Sequence, residues 1–136
     1  GEELQNIRKT FFSHFNNFDK LSNKNSYSFF TLVKYTIGKR GKILKIDLSN
    51  NLDSTDYKIF LSELEKIDIK LLQNYFKINN LKNIDVIIPF ARYVRDNDNI
   101  TIDYSNFADF GKFNDVAFSG KTFWMEPIVM MVSIDY

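Results

Sequence analysis

The stretch VKYTIGKRGKILKIDL, residues 33–48, decides how the rest of the chain is read. Val33, Tyr35 and Ile37 alternate with Lys34 and Thr36, and beyond two glycines Leu44, Ile46 and Leu48 alternate with Lys45 and Asp47. A period of two puts successive side chains on opposite faces of a strand. Two strands joined by GKRGK make a hairpin, and Gly41 sits where a short loop with a bulge needs a left-handed residue. The first strand reaches back to Tyr27 and Phe29, with Thr31 as the polar exception on its apolar side.

Upstream, Leu4, Ile7, Phe11, Phe15 and Phe18 recur at steps of three and four, which makes one apolar stripe on a helix over residues 2–19. Glu2 and Glu3 complement the dipole of its first turn, and KLSNKNS then breaks the pattern. Downstream of the hairpin, Asp53, Ser54 or Thr55 can cap a second helix. There Tyr57, Phe60, Leu61, Leu64, Ile67, Leu71, Leu72 and Tyr75 keep one face, read as a single long helix with a break near Asp68 as the alternative.

NIDVIIPFARYV is a third strand, in which Val86–Ile88 implies burial on both faces. Pro89 lacks a ladder donor and so implies an edge, a bulge or a bend. RDNDN is a turn, ITIDY alternates again, and KTFWMEPIVMMVSIDY is a last strand interrupted by Pro127. The expected fold is α+β in the order α-β-β-α-β-β-β: an antiparallel sheet of about five strands packed by two helices on one face. A chain of 136 residues is expected to form a single domain.

The totals bound the function. Eighteen Lys and Arg against 17 Asp and Glu leave a formal charge of +1, unlike the basic face a nucleic-acid partner would require. Cys is absent, which removes disulfides, thiolate catalysis and cysteine-held zinc. No segment approaches the roughly 18 apolar residues of a membrane span. The heavy use of Asn, Lys, Ile, Phe and Tyr fits AT-rich codon bias. The chain starts at Gly1 without an initiator Met, ahead of a charged helix. That start fits a piece cut from a longer gene after a signal peptide or anchor, and leans toward an exported protein while leaving a cytoplasmic one open.

About residues 2–95 resemble the C-terminal domain of TonB-type energy transducers, in which a helix, a strand, a turn, a second strand, a helix and a third strand follow in order. The family's turn has the form apolar-x-x-x-Gly-x-apolar, matched here by Ile37, Gly41 and Ile43. Its third strand carries a Pro between apolar residues, as VIIPF does at Val86–Phe90. Residues 96–136 lie beyond the family's usual end and would form a β extension. The resemblance implies an anchored or exported, periplasmic, cell-envelope module that binds a partner protein by adding a strand to its sheet.

Lys39, Arg40 and Lys42 crowd the hairpin tip, with Lys34 and Lys45 on the outer face. Contact with an acidic lipid or protein patch is one reading, and a solvated turn that discourages edge-to-edge pairing is the plainer one. His14 is the only histidine, fits a packed position at the stripe margin, and cannot supply a metal cluster. Asp96, Asn97 and Asp98 echo a calcium loop, but Thr101 and Phe107 stand where Gly and Glu are needed.

Phe107, Phe110, Phe113, Phe118, Phe123 and Trp124 make an aromatic region that fits either core cover or a contact surface. Trp124, the only Trp, and Arg92, Tyr93 and Arg95 at the end of the third strand are the candidate binding residues. No phosphate loop, nucleophile elbow or paired-carboxylate motif is present, so neither a cofactor nor a metal is expected. The expected function is non-enzymatic protein binding, with a homodimer as one form of it. A small-molecule or glycan binder using Tyr, Phe and Trp, an immunity or inhibitor protein, and an enzyme whose acids converge on folding are the alternatives.

Overall fold

A computed structural model describes residues 2–15, 29–49, 52, 54–96, 99–100, 112–113, 116–117 and 121–134, and the hairpin forms where the alternation puts it. β1 (Phe29–Ile37) and β2 (Ile43–Leu48) run antiparallel. Gly41 N donates to Gly38 O at 3.2 Å and Gly38 N to Lys42 O at 2.8 Å, closing the turn. Gly41 adopts φ +76°, the left-handed region that a Cβ disfavours. Thr36 lies opposite Lys45 but Ile37 lies opposite Ile43, so Leu44 is the extra, bulged residue. Simple alternation put Leu44 on the apolar side. The bulge gives that place to Ile43 and leaves Leu44 exposed.

Thr31 is buried beside the apolar residues of β1 for a definite reason. Its hydroxyl lies 3.0 Å from Ser49 Oγ, which also accepts Leu32 N at 2.9 Å. A satisfied hydroxyl pair there replaces an apolar contact and spares a buried backbone donor.

Three helices pack on one face of the sheet: α1 (Glu2–Phe15), α2 (Ser54–Glu65) and α3 (Ile69–Ile78). Their buried residues join Val33, Tyr35, Ile37, Val86, Ile88 and Phe90 in one core. Phe15 stacks on Phe60 with centroids 4.7 Å apart, and Phe90 meets both rings edge-on at 5.3 and 5.2 Å. The single long helix expected from the apolar register is therefore corrected to two. Lys66 N and Ile67 N turn back to Glu63 O and Leu64 O, and Asp68 Oδ1 accepts Lys70 N at 3.0 Å as the cap of α3. The Asp side chain competes with the helical backbone, while Ile67 stays buried and preserves the apolar register across the break.

β3 (Ile84–Asp96) is the centre of the sheet. It pairs antiparallel with β1 on one side. On the other side it pairs in parallel with β7 (Thr122–Trp124) and β8 (Ile128–Ile134). The α+β class holds, but the sheet is mixed where an antiparallel one was expected. The reason lies in the connection: parallel neighbours need a crossover of a dozen or more residues, and the chain between β3 and β7 supplies that length. β4 (Asn99–Ile100) pairs with the end of β3. β5 (Lys112–Phe113) and β6 (Val116–Ala117) form a separate two-stranded ribbon. Of ITIDY only Ile100 is described; Tyr27, Asp53 and the turn at 20–26 lie outside the described residues.

Pro89 lies in the central strand, not at an edge, and the ladder accommodates it at a break. Asp85 N donates to Lys121 O at 3.1 Å and Ile87 O accepts Met125 N at 2.9 Å, so by alternation the nitrogen of residue 89 faces the same side. There Ile87 pairs with Trp124 and Phe90 with Ile128, leaving three residues opposite two. Both prolines of the chain, Pro89 and Pro127, fall in this joint, where a missing N–H removes no ladder bond.

Replacing Gly41 by Ala tests the hairpin geometry. Its Cβ would meet Lys77 Cγ at an ordinary 3.7 Å, so the cost is conformational and not steric. A loss of about 1 kcal/mol in urea unfolding is expected, with Gly41→Asn milder; an unchanged midpoint for Gly41→Ala would contradict the turn.

Candidate functional site

Among the described residues the long outer strands of the sheet are β2 on one side and β8, in line with β7, on the other. An outer strand aims a row of backbone N–H and C=O groups away from the sheet. On β2 that row is answered at both ends by helix side chains. Ile43 N donates to Gln73 Oε1 at 3.3 Å, and Leu48 N donates to the Tyr57 hydroxyl at 3.5 Å. The bulge at Leu44 and the exposed Lys45 further discourage pairing.

β8 is different. The register Ala91–Val129 turns the polar backbone groups of Ile128, Met130 and Val132 toward β3, and those of Val129, Met131 and Ser133 outward. Among the described residues no strand pairs with that outward row. Ile128 and Met130 bury their side chains under the helices, while Val129 points to the opposite face and is 59% exposed.

α1 flanks this edge. Arg8 and Phe12, one turn apart on its outer side, face the joint that leads into β8. The Arg8 guanidinium donates to the Glu126 carboxylate, which ties α1 to the joint. Tyr75 of α3 belongs to the same neighbourhood: burial first, and the charge of Glu126 second, hold its hydroxyl above the ordinary value. Arg8, Phe12, Pro127, Ile128 and Val129 line a groove of about 280 Å³ beside the outward row. Apolar Phe12, Pro127, Ile128 and Val129 line it together with the cationic Arg8. An extended chain laid along β8 would find backbone partners in the row and a side-chain pocket in the groove.

The residues singled out from sequence fall elsewhere. Arg92 is buried, on the helix side of β3 beside Phe90 and opposite Met130, which removes it from the surface. Tyr93 and Arg95 continue β3, and their side chains lie outside the described residues. Trp124 is 48% exposed on the face away from the helices, in register with Ile87. Phe30, also exposed on that face, is aligned with Ala91 and Val129. The two rings are thus separated by four residues along β3, about 13 Å, and form no shared platform. Phe123 packs against the core; Phe107, Phe110, Phe118, the Phe113 side chain, Asn97 and Asp98 lie outside the described residues.

Lys39, Arg40 and Lys42 are exposed at the hairpin tip, where the fold brings Lys77 and Lys82 alongside Lys39 and Arg40. His14 Nδ1 lies 3.9 Å from Glu63 Oε2, at the margin between α1 and α2. The buried carboxylates Asp47 and Asp56 stand on opposite sides of the sheet, Asp47 within 3.6 Å of Lys45 Nζ. Among the described residues no three His, Asp or Glu side chains gather as metal ligands, and no helix is long and apolar enough to cross a membrane. Compared with protein-family models, curated proteins and solved structures, the chain matches none.

Arg8 and Glu126 are 118 positions apart, so no local pattern in the sequence marks the groove. The one signal was Pro127 inside an apolar run, which foretold an interruption but not its use.

Tyr35 tests the core behind the site. Its hydroxyl is buried without a hydrogen bond among the described residues, and burial pushes its pKa far above the ordinary 10. Both states are neutral below pH 10; above it the unfolded chain ionises first, so stability falls as the pH rises. Tyr35→Phe is expected to add about 1 kcal/mol at neutral pH and to remove this part of the alkaline loss. Urea titrations at neutral and alkaline pH give both values, and a destabilised variant would reveal a partner for the hydroxyl.

Proposed function

We propose that this is a non-enzymatic protein-binding domain of the cell envelope, which captures an extended segment of its partner along the outer edge of β8. The observation that carries the reading is the contrast between the two edges. β2 is capped by Gln73 and Tyr57, whereas the Val129, Met131 and Ser133 row has no described partner and lies beside an apolar groove. Backbone bonds along the row would give affinity, and the groove beside Phe12 and Pro127 would select an apolar side chain in the added strand. A periplasmic setting and kinship with TonB-type transducers belong to the same proposal and rest on the hairpin and third-strand motifs. In this chain β7 and β8 occupy the free side of β3, so the proposal moves the docking edge from the three-strand core to the extension.

The test begins with selection of a peptide ligand from a displayed library. Val129→Pro removes an outward N–H without touching the ladder to β3, so the fold should survive while peptide affinity drops about tenfold or more. Met130→Pro, which removes an inward N–H, should instead unfold the domain. A folded Val129→Pro protein with unchanged affinity would exclude strand addition at β8. Antiparallel pairing of two β8 edges, seen as a dimer that the same substitution dissociates, would make the partner a second copy.

A further inference from the structure

The opposite end of the domain carries a site of different chemistry. Lys39 and Arg40 form the middle of the hairpin turn, and Lys77 and Lys82 come from the end of α3 and the turn that follows it. Asn83 N donates to Gly38 O at 3.1 Å and so clamps the two turns together. Between them lies an open cleft of about 240 Å³ whose walls carry these four cations and no acid. Lys42 adds a fifth positive charge on the same turn. Asp85 lines a separate, neighbouring depression together with Lys121.

The ordinary tasks of such lysines are already taken. Basic side chains at a helix end often serve the last carbonyls. Here Asn79 N, Leu81 N and Asn80 N bond to the carbonyls of Tyr75, Phe76 and Lys77. Among the described residues no carboxylate pairs with Lys39, Arg40, Lys77 or Lys82. A chain whose formal charge is only +1 thus concentrates positive charge, unpaired by any described carboxylate, at one end, where it focuses a local field.

We infer that this cleft binds an acidic segment of a partner protein, a contact independent of the β8 edge. The cleft is smaller and more open than the enclosed sites of roughly 300–1,000 Å³ that hold small ligands. No aromatic ring lines it to stack a base. Its one apolar wall residue, Leu81, is buried and offers nothing to insert into a bilayer. What remains is a two-walled row of cations, which an extended chain bearing carboxylates on successive residues, pointing to opposite sides, can bridge.

Fluorescence anisotropy with a labelled oligoglutamate peptide, run against a Gly-Ser control, tests the assignment. The full chain should bind only the acidic peptide, and less tightly as salt is raised. Arg40→Glu with Lys77→Glu should weaken binding about tenfold or more, whereas Lys9→Glu with Lys58→Glu, an equal change in net charge, should leave it within about twofold. Thermal melts establish that both variants fold. Absence of binding, equal losses in the two variants, or tighter binding to phosphatidylserine vesicles or an oligothymidine would overturn the inference.

Discussion

The pairing of β3 on both its sides is the constraint on which the rest of the structure depends. One face of that ladder fixes the β1–β2 hairpin, and the other recruits β7 and β8 in parallel. Pro127 lies between β7 and β8 and Pro89 on β3 opposite that break, so the central strand keeps continuous pairing with β1 while its other neighbour is interrupted. The same joint holds Glu126 against Arg8, so it also sets where α1 lies beside β8. Edge and groove are both consequences of how β3 is flanked.

The helices serve the sheet asymmetrically. α2 and α3 lean over β2 and send Tyr57 and Gln73 to its outward amides, which closes that edge. α1 lies between α3 and β8 and presents Phe12 and Arg8 to the joint without reaching the outward amides of the strand. The stack of Phe15, Phe60 and Phe90 holds α1 and α2 to β3, so the helices beside both edges are anchored to one aromatic core. The proposed strand addition draws on this difference between the two edges among the described residues.

Much of this was legible in the sequence, and the part that was not has a physical cause. Alternation and Gly41 located the hairpin because its contacts are local, and the stripe of Ile7, Phe11 and Phe15 located α1 for the same reason. Thr31 and Leu44 broke the alternation through a hydroxyl pair and a bulge, neither of which a period of two can encode. Asp68 gave a capping signal that the intact apolar register concealed. The direction of β8 was hidden because parallel pairing joins segments far apart in the chain. Arg92 was readable in principle: it shares the parity of Ile88 and Phe90 and so had to face the helices. Lys77 and Lys82 could not be joined to the hairpin tip without the clamp from Asn83 to Gly38.

Hydrogen exchange at individual amides of the free protein tests the account most directly. If the far side of β8 is open, Val129, Met131 and Ser133 should exchange rapidly, while Met130 and Val132, bonded to β3, and Ile43 and Leu48, held by Gln73 and Tyr57, stay protected. Uniform protection along residues 128–134 would mean that the row is already paired, and the proposed docking edge would not exist.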